Sequence, residues 1–597
     1  MAFPAQFLLL LPLFLAGTQS EAKIYDTVAE LPALKYDFIV VGGGTAGNAV
    51  ANRLSENPAW SVLVIEGGPS NVGVLDNQVP GLAVDLFAPS SGFTWQFNTV
   101  AQPFADNRVM GYPRGRILGG SSGINEMWYT RGSSEDFDRF ASVTGDKGWG
   151  WDAMFPYFLK NERWTTPADK HNTSGQFNPK FHSTTGMNFV SLPGYGWPTF
   201  PRIIAAAAEL PDVFPFVEDY NSGSPIGLGW VQSTIGNGTR SSSAASYLGE
   251  PFISRPNLDV LVNAQVSRIL PSSKDSTHFN QVEFSQDFTT LFVATATKEI
   301  ILSAGAIASP QILLNSGIGN KTYLESLNIP SLIDLPAVGQ NMSEQPLVSN
   351  SWFVNTTETY ESFNNNDTQR DIDLAQWNAT RTGPLVSIVG SHVAFLRLDA
   401  NGTALGNFED PAAGPKTPHL EMEFAVIPIP AGGGNFMSVQ CVVVSSASRG
   451  SVTLNATDFS PFSHPIIDPA TFASEFDFQA MKEGLNKVFQ FMSTSAWDGF
   501  VMRPLDNLAS ALSGGDAGLE AYIRANAVAN LHPVGTTAMS PKGAQWGVVD
   551  PDLLLKKATG VRIIDAGVMP YVTSGHTMAP TYAVAERGAD LVKQTWA

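Results

Sequence analysis

Tyr36-Asp-Phe-Ile-Val-Val41, Gly42-Gly-Gly-Thr-Ala-Gly47 and Ser61-Val-Leu-Val-Ile-Glu66 are the stretches that decide the fold. The first and third are short apolar runs of the kind buried on both faces of a sheet. The second is a glycine turn, after which Ala46, Ala49, Val50, Arg53 and Leu54 recur at helical spacing. Strand, turn, helix and strand in that order predict a βαβ unit and the start of a parallel sheet. Gly42, Gly44 and Gly47 then form a G-x-G-x-x-G pattern in the setting that gives it meaning. The glycines permit a tight turn and close backbone approach, and the helix N-terminus, at Thr45 and Ala46, offers free N–H groups to a pyrophosphate. Glu66, 19 residues beyond Gly47 at the end of the second strand, is placed to accept hydrogen bonds from ribose hydroxyls. The alternative is a tight turn without a ligand.

Composition sets the bounds. The chain has 597 residues, 43% of them hydrophobic and 37 of them Phe, which excludes disorder. At ~150 residues per domain the length suggests up to four, or one large enzyme of intertwined domains. A net charge of −19 argues against a nucleic-acid partner, which needs clustered Lys and Arg. A single cysteine, Cys441, excludes an internal disulfide and a thiolate metal cluster. The apolar run Phe7–Ala16, interrupted by Pro12 and followed by Gly17 to Ser20, reads as a signal peptide over residues 1–20, too short to span a bilayer. Asn-X-Ser/Thr sequons begin at Asn172, Asn237, Asn320, Asn341, Asn355, Asn366, Asn378, Asn401 and Asn455. Together they predict a secreted, soluble glycoprotein with no membrane partner.

Further along, Leu258–Val262 and Glu299–Leu302 read as strands, and Gly305 opens a turn into a helix near Ser309–Asn315. Residues 345–510 mix short strands and loops, as a second lobe would. Gly560–Asp565 and Ala579–Val592 resume a strand and a helix. Gly119-Gly-Ser-Ser-Gly123 fits two patterns. It could present backbone N–H groups to the same cofactor, or act as the nucleophile elbow of a hydrolase with Ser121 as nucleophile. The preceding Tyr112-Pro-Arg-Gly-Arg-Ile-Leu118 lacks the buried strand an elbow requires. His532 and His576 stand near the C-terminus beside these returning core segments. A neutral imidazole is a natural acceptor for an alcohol proton, though chemistry alone favours a structural role for any single histidine. No spacing of His, Cys and carboxylates suggests a metal.

These segments together resemble the glucose-methanol-choline family of FAD oxidoreductases. Gly115-Arg-Ile-Leu-Gly-Gly-Ser-Ser-Gly-Ile-Asn125 is similar to its first signature and Gly305-Ala-Ile-Ala-Ser-Pro-Gln-Ile-Leu-Leu-Asn-Ser-Gly-Ile-Gly319 to its second. Within the family the chain is most similar to fungal aryl-alcohol oxidases, through Arg131–Arg139, Arg240–Ser243 and Trp546–Asp552. The resemblance implies an α/β, doubly wound, Rossmann-like FAD-binding domain over 36–160, 226–344 and 533–597. It implies a substrate domain on an antiparallel sheet over 161–225 and 345–532. It extends the cofactor-binding set to Arg116, Gly119, Gly120, Ser121, Asn125, Val266, Asp565, Ala566 and Thr577. His532 becomes the catalytic base and His576 the partner that hydrogen-bonds the substrate oxygen.

The implied reaction oxidises a primary aryl or polyunsaturated alcohol to an aldehyde by hydride transfer to flavin, with O₂ reduced to hydrogen peroxide by a monomeric enzyme. Some relatives link FAD through a His at the position of Ile124, so FAD is expected to be non-covalent here. Leu531 and Phe97 stand where aryl-alcohol oxidases carry pocket aromatics, and the loop around Ile427–Ala431 lacks aromatics, which loosens the aryl preference. The alternatives are a sugar oxidase or dehydrogenase using quinones, a lyase with idle flavin, and, more remotely, a serine hydrolase.

Overall fold

The structure is a computed structural model that describes residues 23–274, 276–388, 390–425, 433–458 and 460–597. The expected signal segment and the Ile427–Ala431 loop lie outside the described residues.

The expected parallel sheet forms around Lys35–Val41. This strand is flanked by Val62–Ile65 on one side and by the long strand Phe292–Leu302 on the other. Outward from Val62–Ile65 come Leu258–Leu261 and then Ile24–Tyr25, all parallel. Beyond Phe292–Leu302 the sheet continues antiparallel through Phe279–Ser285 and Gln265–Pro271. The end of Phe292–Leu302 also pairs parallel with Val561–Ile563, so the C-terminal part of the chain completes an eight-stranded sheet begun at its N-terminus. Phe38, Ile39, Val40, Val62, Leu63 and Val64 are all fully buried, because helices cover both faces of a parallel sheet.

The helices Thr45–Leu54 and Met578–Trp596 pack on this sheet and on each other. Arg53 is locked to Glu586 by bonds from Nε and Nη2 at 2.7 to 3.0 Å, and Tyr247 Oη adds a third donor at 2.8 Å. Sequence periodicity placed Arg53 on the helix but gave no sign that its charge is buried.

The second sheet is antiparallel and seven-stranded. It runs Val501–Pro504, Pro346–Val354, Phe436–Val443, Leu420–Ala425, Gly390–Leu396 and Gly227–Trp230, with Val528–Ala529 also paired to Pro346–Val354. Gly227–Trp230 lies on the other side of the boundary expected at 226. The 161–225 segment divides its contacts: Val190 joins the core of the first sheet, whereas Ile203 and Ala206 join that of the second. One face of the second sheet buries Leu420, Met422, Val439 and Cys441 against the helix Glu475–Met492. The other face turns Glu421, Glu423 and Gln440 the opposite way, as the two-residue period of a strand requires. No helix among the described residues is long and apolar enough to cross a membrane.

Removing Glu586 would leave the Arg53 guanidinium inside the helix pair with Glu56, bonded at 2.8 Å, as its carboxylate partner, and would take from Lys160 a partner at 3.1 Å. Glu586→Ala is expected to lower stability by about 1.5–3 kcal/mol, read as a fall in denaturant midpoint. A surface carboxylate such as Glu325→Ala should change it by less than about 0.5 kcal/mol.

Candidate active site

A cavity of about 420 Å³ opens at the C-terminal ends of Lys35–Val41 and Phe292–Leu302, where the strand order reverses. That is the ligand crevice of an open α/β sheet, and its size falls in the ~300–1,000 Å³ range of cofactor and small-molecule sites. The three glycines of the first turn have different reasons to be glycine. Gly42 has φ +99°, and a Cβ there would lie 2.6 Å from the Ser303 carbonyl oxygen. A Cβ on Gly47 would lie 1.9 Å from the Gly42 carbonyl oxygen, so Gly47 lets the helix sit on the turn. A Cβ on Gly44 would meet nothing closer than Gly120 Cα at 3.7 Å. The fold itself tolerates a side chain at Gly44, and what its absence leaves open is the cavity.

The Thr45–Leu54 helix starts at Gly44 with no side-chain cap and no acid in its first turn, so its leading N–H groups are left for an anion. Glu66 is held by backbone N–H groups of Gly43 at 2.8 Å and Gly68 at 2.7 Å. Burial pushes its carboxyl up to about 7 despite these bonds. Each oxygen keeps a lone pair for a ligand hydroxyl. These features fit the diphosphate and ribose of a dinucleotide.

The second glycine loop is fastened to the first, with Gly119 N–H donating to the Gly43 carbonyl at 2.7 Å and Ser243 Oγ to that of Gly44 at 3.0 Å. Ser121 Oγ accepts from Gly115 N–H at 3.3 Å, and among the described residues no histidine bonds it. Its loop follows Gly111–Gly115, half of a two-stranded hairpin rather than a central strand, so the elbow reading finds no support. Asp565 accepts from Gly567 N–H, Gly305 N–H and Ser309 Oγ at 2.8, 2.9 and 2.6 Å, tying the second signature to the C-terminal segment.

Gly42, Gly44, Thr45, Ala46 and Glu66 line the cavity, as do Gly120, Ser121 and Asn125. Val266, Asp565, Ala566 and Thr577 complete the lining from the later segments. Gly47, Gly119 and Arg116 stand behind it. Arg116 lies over the Trp95 ring, 5.2 Å from its centroid. Phe97 lines the cavity stacked on Trp95 and edge-on to His464, 4.8 Å away.

His532 and His576 come together at one end, with ring centroids 4.8 Å apart and planes at 72°. Gln345 fixes the tautomer of His532. Its amide nitrogen donates to the carbonyls of Val444, Thr573 and Gly575, which leaves its Oε1 facing His532 Nδ1 at 2.7 Å. Nδ1 must therefore carry the proton and donate, so Nε2 keeps a free lone pair. Asn530 Nδ2 sits 3.2 Å from the same nitrogen and cannot also donate to it. Burial lowers His532 well below the ordinary histidine range, and the His576 and Arg114 cations lower it further.

Leu531 adopts φ +62°, a left-handed conformation costing roughly 1 kcal/mol for a non-glycine residue. It is held by Arg114 Nη1, which donates to its carbonyl at 2.6 Å, and by His532 N–H, which donates to Glu344 at 2.9 Å. Glu344 in turn accepts from Tyr112 Oη.

His576 has a different environment. Trp128 stacks on it at 5.0 Å, and its Nε2 lies 3.2 Å from Glu421 and 3.5 Å from Glu423. Burial alone would lower His576, but Glu421, then Glu423 and Glu126, override it and push it up to about 9. The ligand atoms of Glu421, Glu423 and His576 fall within 4.8 Å of one another, a grouping that could also hold a cation. Sequence spacing missed it because the histidine comes 153 residues after Glu423. The strand did carry a signal: Leu420-Glu-Met-Glu-Phe424 places two acids on one face of an otherwise apolar run. Gln345 and Glu344 had no such mark.

A dinucleotide cradle leading to two imidazoles in opposite electrostatic settings is the site of a cofactor-dependent oxidoreductase. Comparison with known proteins agrees. Residues 36–347 and 446–585 match the N- and C-terminal family models described as GMC oxidoreductase, and the chain belongs to that FAD-binding family. It is 42% identical over 584 residues to "Dehydrogenase eriK" of Hericium erinaceus, covering 96% of each chain. It is 38% identical over 596 residues to pyranose dehydrogenase 3 of Leucoagaricus meleagris, again covering 96% of each. Among solved structures, a fungal aryl-alcohol oxidase superposes with a TM-score of 0.80 at 27% identity, covering 94% of this chain and 99% of that one.

Gly44→Ala should leave the melting temperature of the apoprotein nearly unchanged while reducing bound flavin after purification. Gly47→Ala should destabilise the apoprotein itself, by about 1–3 kcal/mol or more. Thermal melts with and without added FAD distinguish the two.

Proposed function

We propose that this chain oxidises a secondary or primary hydroxyl of a polyhydroxylated, sugar-like alcohol, with His532 as the base. The observation that carries the reading is the polar wall beside the two histidines. Glu423, Gln440 and Asn530 all line the cavity there, and Leu531 stands where an aromatic would serve a ring. Hydroxyl-rich substrates can exchange hydrogen bonds with such groups, whereas an aryl ring offers them none. The similarity to pyranose dehydrogenases supports the same substrate class. The second reading is an aryl-alcohol oxidase, favoured by Trp128 and Phe97 in the lining and by the structural likeness to that enzyme.

FAD, when bound, supplies the acceptor for the hydride that leaves the carbinol carbon. The chain supplies the rest. His532 Nε2 accepts the hydroxyl proton, its tautomer set by Gln345. His576 donates to the same oxygen as negative charge develops on it. The cavity orients the carbinol and limits water. Ile124, buried and lining the cavity, offers no nucleophile to the cofactor, which supports non-covalent binding. Secretion is supported by the nine sequon asparagines, all of which are exposed except half-buried Asn455.

Under this reading His532→Ala lowers kcat by about 10²–10⁴-fold, equivalent to roughly 3–5 kcal/mol, with flavin content retained. Glucose should give a higher kcat/KM than 4-methoxybenzyl alcohol, with 1,4-benzoquinone a better acceptor than O₂. The reverse order on both counts would favour the aryl-alcohol oxidase.

A further inference from the structure

Glu126 stands just past the Gly115–Asn125 stretch, and the roles given to the glycine loops and the histidines leave it without one. It is half-buried and lines the cavity, between Asn125 of the cofactor loop and the Trp128 ring stacked on His576. The turn that carries it is fixed on both sides. Arg240 Nη1 donates to the Asn125 carbonyl at 2.6 Å and to Asn125 Oδ1 at 3.1 Å. The same Oδ1 accepts from Met127 N–H at 3.1 Å, and the Met127 carbonyl accepts from Thr234 N–H at 2.8 Å. Met127 is fully buried at φ +64°, a left-handed conformation that disfavours any residue with a side chain. Strain of this kind persists only where the surroundings hold it. Here it sends Met127 into a core cluster with Trp128 and leaves Glu126 at the cavity.

The electrostatic surroundings place Glu126 at the histidine end. Burial raises its carboxyl above the ordinary range, against the His576 cation, the Trp128 indole and Arg240. Its charge acts in turn on His576 and Glu423, which stand beside the substrate position and not at the dinucleotide turn. Arg240 is the balancing cation. It is buried, it donates to the carbonyls of Asn77, Ser122 and Asn125, and among the described residues it pairs with no carboxylate. Burial pulls it down to about 9, with Glu126 the main group opposing. The two charges are nevertheless not joined. Arg240 Nη2 and Trp128 Nε1 are both buried without a well-formed bond among the described residues. Glu126 therefore keeps acceptor capacity on the cavity side, where a bound molecule has to supply the donors.

We propose that Glu126 is a specificity-determining residue. It accepts a hydrogen bond from a second hydroxyl, on the carbon next to the one being oxidised, and so selects vicinal diols over alcohols with a single hydroxyl. The inference rests on the sugar-like reading above and narrows it. Glu423, Gln440 and Asn530 reach the substrate position from the antiparallel sheet and the segment before His532, whereas Glu126 reaches it from the cofactor loop. A carbinol between the histidines is thus met by polar groups from two directions, one of them an acceptor beside the neighbouring carbon. Benzylic alcohols carry no hydroxyl there and offer Glu126 no donor, which is how a polar site rejects an analogue lacking one group. No proton transfer is assigned to Glu126, and the hydroxyl it binds is unchanged by the reaction.

The test is anaerobic stopped-flow reduction of the holoenzyme by glucose and by 4-methoxybenzyl alcohol, in the parent, Glu126→Gln and Glu126→Ala. The concentration dependence of flavin bleaching gives an apparent Kd for each alcohol, and its plateau gives the rate of the reducing step. Glu126→Ala should raise the glucose Kd about 10–100-fold and leave that of 4-methoxybenzyl alcohol within about threefold, as loss of a hydrogen bond to a charged group implies. Glu126→Gln keeps the shape and one acceptor oxygen, so it should raise the glucose Kd by less.

A residue that served only as counter-charge to Arg240 would lower the melting temperature and weaken both alcohols alike, with the ratio of the two Kd values unmoved. An unmoved ratio in a folded, flavin-bearing Glu126→Ala, in a parent that glucose bleaches, overturns the inference and leaves the sugar-like reading standing. If Glu126→Ala does not fold, the ratio in Glu126→Gln decides by the same criterion. A parent that glucose does not bleach contradicts the sugar-like reading itself, and this inference falls with it.

Discussion

One buried amide holds together the end of the crevice where His532 and His576 meet. Gln345 leads into the strand Pro346–Val354 of the second sheet, yet its side chain bonds three carbonyls on two distant segments and then orients His532. Its backbone carbonyl accepts from Asn530 N–H, and its N–H donates to Glu344, which also receives His532 N–H. The segments carrying His532 and His576 are thus tied through one residue to the strand beside them. An apolar residue of the same size would fill the space but would take this donor from the Val444 and Gly575 carbonyls and leave the imidazole tautomer undefined.

The division of labour in the fold follows. The parallel sheet and the tight turn at Gly42–Gly47 make a rigid crevice that suits a dinucleotide. The antiparallel sheet presents a polar face to the end of that crevice. Neither is a site alone, and the chain passes between them several times, so each sheet is assembled from segments far apart in sequence. The C-terminal strand Val561–Ile563 returns to the first sheet, which brings His576 within reach of acids carried by the second.

Much of the first sheet was legible in the sequence because its signals are local. Lys35–Val41, Thr45–Leu54 and Val62–Ile65 appeared within a residue of where hydrophobic period and glycine spacing put them. Gly305–Asn315 and Met578–Trp596 were legible with looser bounds, the first starting four residues before the expected Ser309 and the second running four beyond the expected Val592. The second sheet was not, since several of its strands have both faces buried. The alternation that marks a half-exposed strand is therefore missing from strands such as Gly390–Leu396. At the site, the histidines were singled out by sequence context and given roles by resemblance. The groups that set their chemistry are glutamates and a glutamine on other segments. Long-range electrostatics leaves no local pattern, with the exception of the paired acids in Leu420–Phe424.

The central claim is that the crevice holds FAD and that a substrate alcohol at the paired histidines gives up hydride there. The most direct measurement is an anaerobic titration of the purified protein with glucose and, separately, with 4-methoxybenzyl alcohol, following the visible flavin band. Bleaching by either alcohol, and its recovery when an electron acceptor is admitted, is the predicted result. A yellow protein whose band is unchanged by both, and by a wider set of sugars and primary alcohols, would contradict the account and point to a flavin that serves no redox step.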